Sequence, residues 1–122
     1  MDNTDWLKNY YNSFPFDLNV IKQNYLINPQ ISGYNEEEER DILTYGYLSE
    51  SVFYVHISTF FPANGINSPG DWAFDFESIL KENEDAERLI IDVRNNSGGL
   101  NSNVQKIASL FVDKQLTYSL TI

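Results

Sequence analysis

The 122-residue sequence contains no cysteine. That excludes a disulfide framework, a thiolate zinc site and a cysteine nucleophile. Lysine and arginine number only 8 against 18 aspartates and glutamates, a net charge of −10. A chain so short of cations has no basic stripe for a phosphate backbone, so nucleic acid is not an expected partner. No apolar run approaches membrane-spanning length, and no membrane-spanning segment is expected. Residues Met1 to Asp5 carry neither the basic region nor the apolar core of a signal peptide.

What is present is apolar and aromatic. Hydrophobic residues make up 42% of the chain and aromatics 15%, enough for one small domain with a bulky core. The first 41 residues read as an appendage. Residues 1–13 suit a short helix with Trp6 and Tyr10 on one face, ended by Pro15. Phe16 to Ile27 places Leu18, Ile21 and Tyr25 at helical spacing, although its β-formers also suit a strand. Asn28 to Asp41, with Pro29, Gly33 and the run Glu36 to Glu39, reads as an acidic linker. Adjacent carboxylates do not converge on one ion, so the run is expected as a solvated charge cluster and no metal site is assigned.

From residue 42 the pattern is regular. Ile42 to Leu48 and Val52 to Ser58 form a hairpin, the second strand the more central. His56 and Ser58 share a strand face, but no acidic group stands ready to orient the histidine, so they are read as ordinary strand residues. Ser68 and Pro69 suit a helix start. Trp72, Phe76, Ile79 and Leu80 then mark the buried stripe of a helix ending near Glu82. Arg88 to Arg94 is a strand whose continuous apolar run suits burial on both faces. Asn101 or Ser102 suits the cap of a second helix, with Val104, Ile107, Ala108 and Phe111 as its buried stripe. Lys114 to Ile122 alternates as another core strand. The expected fold class is α/β: a β-hairpin followed by two βαβ crossovers, giving a small, mainly parallel sheet flanked by helices. The expected domains are a helical appendage with an acidic linker over 1–41 and an α/β core over 42–122.

The core is organised around Leu89 to Leu100. A β-branched strand stops at a polar turn containing Gly98 and Gly99, and a helix follows at once. Such loops lie at the carboxyl ends of parallel strands, where open α/β sheets place their chemistry. Glycine there allows positive φ and close approach of another group to the backbone. Amides beside a helix N-terminus favour negative charge: an oxyanion, a carboxylate or a phosphate. The pair can equally do no more than turn the chain. Asp92 and Arg94 point to one side of the strand and can pair, which suits supporting the loop. An arginine neighbour keeps a carboxylate ionised and a poor acid. The loop matches neither G-x-G-x-x-G nor the lysine-containing phosphate loop, which argues against a nucleotide site.

Leu89-Ile90-Ile91-Asp92-Val93-Arg94-Asn95-Asn96-Ser97-Gly98-Gly99 resembles the strand–loop motif of the C-terminal-processing, or tail-specific, serine peptidases. That motif runs approximately apolar-apolar-Asp-apolar-Arg-x-Asn-x-Gly-Gly. Ile107 to Phe111 resembles the helix that follows it, and Val52 to Phe60 the family's first core strand. The likeness spans about residues 42–122. It implies a serine–lysine dyad acting on peptide or protein substrates, with no cofactor, and location outside the cytoplasm. It also implies that Gly98 or Gly99 lends a backbone amide to the oxyanion hole, with Asp92, Arg94 and Asn96 supporting the loop. Ser97 stands where proline is frequent. The family's nucleophilic serine and basic lysine fall downstream of these segments, so neither is assigned here. The expectation is an N-terminal part of a peptidase core, inactive alone. The alternative is a non-catalytic module that binds a peptide or apolar ligand on the same scaffold. A partial core exposes apolar surface and an unpaired strand, so self-association is expected.

Overall fold

The computed structural model describes residues 16–63 and 72–112. The expected helix over 1–13, the helix start at Ser68 and Pro69, and the strand over 114–122 lie outside them. The elements are α1 (Leu18–Asn24), β1 (Ile27–Asn35), β2 (Arg40–Tyr47), β3 (Val52–Ile57), α2 (Trp72–Glu82), β4 (Arg88–Asp92) and α3 (Asn101–Ser109). They make a small α/β fold around a mixed sheet of order β1-β2-β3-β4. The first two pairings are antiparallel and β3–β4 is parallel. One βαβ crossover, β3-α2-β4, therefore stands in the described residues.

The expected linker over Asn28 to Asp41 is largely a strand, β1, and the following turn. Pairing with β2 overrides the local turn signals. Pro29 sits on an edge strand beside a bulge, where a missing N–H does no harm. Asn28 and Gly33 absorb the irregularity with φ of 50° and 79°. Asn35, fully buried, accepts the Glu38 N–H at 2.8 Å and donates to Pro62 O at 2.9 Å, so it closes the acidic turn.

The two faces of the sheet differ. Phe53, Val55 and Ile57 of β3 join Ile42, Leu43, Trp72, Phe76, Ile79 and Ile107 in one apolar cluster against α2 and α3. The α2 stripe is as its spacing predicts, and Trp72 Nε1 also donates to Phe61 O at 2.7 Å. On the opposite face lie Tyr54, His56 and Asp92, beside α1.

Three local expectations change. Helix α3 starts one turn-residue earlier than a side-chain cap would place it, since the capping position is Leu100, with no side-chain bond. Phe111 is exposed rather than part of the buried stripe, because α3 ends at Ser109 before reaching it. Strand β4 is not buried on both faces: Leu89 and Ile90 are exposed, because it has a neighbour on one side only among the described residues.

Candidate functional site

Parallel pairing in register His56↔Asp92 brings the ends of β3 and β4 together, and both strands open onto the loop of residues 93–100. Asp92 starts it. Its buried carboxylate takes Arg94 Nη2 at 2.7 Å, Arg94 Nε at 3.0 Å, the Arg94 backbone N–H at 3.0 Å and the Tyr54 hydroxyl at 2.6 Å. Burial alone pushes an acid's pKa up. Here the Arg94 and Tyr54 hydrogen bonds outweigh it and hold Asp92 at about 2. Burial first, then the Asp92 acceptor, raises the Tyr54 hydroxyl well above its ordinary value. The pair is therefore a fixed ion pair, not a proton donor.

His56 Nε2 donates to Arg94 O at 2.8 Å, and Phe16 stacks on the ring at 5.3 Å. Its Nδ1 is buried without a protein partner. Burial lowers the histidine's pKa, against the opposing pull of the Arg94 carbonyl and Asp92. The Ser58 hydroxyl donates to Asp41 O. Serine and histidine on this strand thus bond elsewhere and not to each other.

Asn96 ties the loop at three points. Its Nδ2 donates to Ile57 O at 2.8 Å, its N–H to Val93 O at 3.1 Å, and its Oδ1 accepts the Gly98 N–H at 2.7 Å. Asn95, Gly98 and Gly99 hold φ of 61°, 88° and 143°. Gly99 lies against Phe60 as an isolated parallel bridge: Phe60 N donates to Gly98 O at 2.7 Å and Leu100 N to Phe60 O at 3.2 Å. A trans peptide points its carbonyl and the next N–H in opposite directions. The Gly98 carbonyl faces Phe60, so the Gly99 N–H faces away from it. That N–H has no acceptor among the described residues, and Gly99 is exposed just ahead of α3. Glycine is required there: a Cβ would lie 2.3 Å from Phe60 C and Phe61 N, both backbone. At Gly98 a Cβ would meet nothing within 4 Å.

A family model, that of peptidase family S41, matches residues 51–121. The match takes in β3, the crossover, β4, the glycine loop and α3, more than half of the chain. The chain belongs to peptidase family S41. Neither a comparison with curated proteins nor one with solved structures returns a match. Membership gives this scaffold a serine-peptidase origin and implies a protein or peptide substrate.

Two residues that hold this S41 loop from outside the matched segment are not read from the sequence. Glu38, in the run expected as solvated, accepts the Ser97 hydroxyl with its two oxygens at 2.7 and 2.8 Å. Arg40 Nη2 donates to Ser58 O and Asn95 O, both at 2.7 Å. Neither contact has a sequence signal, since the partners are 18 to 59 positions away. No group of three or more metal-ligating side chains converges among the described residues. No helix among them is long and apolar enough to cross a membrane.

Proposed function

We propose that this chain supplies the oxyanion-binding part of a tail-specific serine peptidase, with Gly99 N–H as the donor. The observation that carries this reading is the difference between the two glycine amides. Gly98 N–H is spent on Asn96; Gly99 is an exposed residue beside a helix start, and its N–H has no acceptor among the described residues. A donor fixed before the reaction stabilises developing charge without reorganising. Asp92, Arg94 and Asn96 serve the loop, not the chemistry: Asp92 fixes Arg94, whose carbonyl takes His56, and Asn96 spends its amide on Ile57 O and Gly98 N.

The nucleophilic serine and its lysine base belong to segments further downstream in the family. Ser97 supports this. Its hydroxyl donates to the Glu38 carboxylate, not to a lysine amine that would activate it. The chain alone therefore does not cleave peptides. The test is a serine-reactive fluorophosphonate probe read by intact mass, beside hydrolysis of a labelled protein substrate. No adduct and no hydrolysis are expected; a stoichiometric serine adduct overturns the reading.

The side of β4 that is unpaired among the described residues favours a second reading, a peptide-binding module without catalysis. Arg88 N donates to Ser51 O, so the backbone groups of Leu89 and Ile91 face outward by alternation. Leu89, Ile90 and Val93 are exposed along it. Such an edge is a template for strand addition. A serine and a lysine in the family's downstream motifs of the longer protein favour the enzyme, and their absence favours the module. The same edge drives self-association of this chain, which sedimentation at high concentration checks; a strictly monomeric profile counts against it.

A further inference from the structure

A loop that holds Asn95, Gly98 and Gly99 at positive φ does not choose that conformation locally. Glycines lose more freedom on ordering than any other residue, so contacts from outside must select one state. Two sources of such contacts are the residues on either side of the sheet end, Ile57 and Phe60. The third is the β1–β2 turn, which comes from a different part of the chain.

That turn is itself fixed. Asn35 Oδ1 accepts the Glu38 N–H at 2.8 Å, and Glu39 turns the chain with φ of 53°. Glu38 thereby presents its carboxylate to Ser97 Oγ at 2.7 and 2.8 Å. Thr59 Oγ1 lies 2.9 Å from the same Ser97 hydroxyl and 3.2 Å from Gly98 O. Thr59 also accepts the Phe61 N–H at 3.2 Å. Each hydroxyl has one proton to give: Ser97's goes to Glu38 and Thr59's to Gly98 O, so Glu38 reaches the peptide that carries Gly99 N–H through Ser97, the residue just before it, while Thr59 holds the carbonyl of that peptide. A carboxylate near an anion site works against the anion. Arg40 offsets it, with Nη1 3.8 Å from Glu38 Oε2 and Nη2 on the Asn95 and Ser58 carbonyls.

We propose that Glu38 is a positioning residue for the oxyanion loop, holding the Gly98–Gly99 peptide through the adjoining Ser97 so that the Gly99 N–H stays open. This rests on the assignment of Gly99 above. The carboxylate acts as a hydrogen-bond acceptor, so glutamine replaces it and alanine does not.

The experiment is backbone amide hydrogen exchange by NMR on the 122-residue chain and on Glu38→Ala, Glu38→Gln and Ser97→Ala. The Gly98 and Leu100 N–H groups, bonded to Asn96 and Phe60, report the loop. Val55, in the central strand, reports the fold. Glu38→Ala and Ser97→Ala should speed the two loop amides about tenfold and leave Val55 within about twofold. Glu38→Gln should stay close to the parent chain. Unchanged loop exchange in Glu38→Ala overturns the proposal, as does glutamine behaving like alanine. Acceleration that reaches Val55 also overturns it, because it marks a general structural role. Should Glu38→Ala not fold, Ser97→Ala breaks the same bond from the other side and is read by the same criteria. Failure here leaves the Gly99 assignment standing, whereas a Gly99 N–H protected in the parent chain as strongly as that of Gly98 marks a bonded amide and sinks that assignment whatever the variants do.

Discussion

Alanine at Gly99 and alanine at Gly98 are chemically the same change two atoms of backbone apart, and the structure separates them sharply. Both positions have positive φ, 143° at Gly99 and 88° at Gly98, so each substitution meets backbone strain of about 1–2 kcal/mol. At Gly98 nothing else follows, since the new methyl enters open space. At Gly99 the methyl would lie 2.3 Å from Phe60 C and Phe61 N. Backbone cannot swing aside as a side chain does. Relief requires the loop to lift off Phe60, which breaks Phe60 N to Gly98 O and Leu100 N to Phe60 O. The second acceptor is shared, because Asn103 Nδ2 also donates to Phe60 O at 2.8 Å, so α3 shifts with the loop.

Each lost hydrogen bond costs about 1 kcal/mol net. Gly99→Ala should therefore destabilise by about 4 kcal/mol and Gly98→Ala by about 1–2 kcal/mol. For a small domain of about 5–15 kcal/mol total stability, the first is a large fraction and the second is tolerable. Urea unfolding followed by tryptophan fluorescence measures both, with Trp72 buried in the cluster that α3 helps to close. Equal losses at the two positions would refute the reasoning, since the Phe60 contact would then have no energetic consequence.

The remaining predictions concern protons. Asp92 sits at about 2 when folded, against about 4 unfolded, so it contributes about 2 kcal/mol that is fully present above about pH 4. That contribution is lost as pH falls through about 2; the stability gap between the parent chain and Asp92→Asn should close over this window, and a gap independent of pH contradicts the ion pair. His56, with its pKa lowered, contributes stability that is full above about pH 6.5 and falls as pH drops below it. It is the chain's only histidine, so its ring proton resonance is unambiguous. The titration midpoint should lie below that of free imidazole, and a midpoint at or above it would show that burial does not dominate.

Legibility from sequence follows the range of the interaction that decides each element. The stripe of Trp72, Phe76 and Ile79 was legible because helical spacing is local, and those three side chains are buried as the spacing requires. The hairpin of β2 and β3 was legible for the same reason. Strand β1 was not. Asn28, Pro29 and Gly33 carry turn signals, and only pairing with β2, with Gly33 packed 3.3 Å from Ile42 in the sense of its missing Cβ, makes them a strand. The apolar run of Leu89 to Ile91 signals a strand correctly but not the exposure of Leu89 and Ile90, because what packs on a strand is set by distant segments rather than by its own sequence. Glu38 was illegible for the plainest reason: its partner, Ser97, is 59 residues away.

The arginines near the loop bear on what kind of anion the proposed site would suit. A resident anion, such as a phosphate, is ordinarily held by side-chain cations as well as amides. Here both candidates are committed. Arg94 is bidentate on Asp92 with its guanidinium 4.4 Å over the Phe16 ring, and Arg40 is spent on two carbonyls with Glu38 nearby. What remains for an anion is the Gly99 N–H and the start of α3, worth roughly half an elementary charge. In a chain of net charge −10 that is a weak attractor for a free phosphate. It is well matched to an oxyanion that arises in place on a substrate already held by other contacts, where a small preorganised dipole acts only as charge develops. The commitment of both arginines thus separates the peptidase reading from a nucleotide site on grounds independent of the sequence motif.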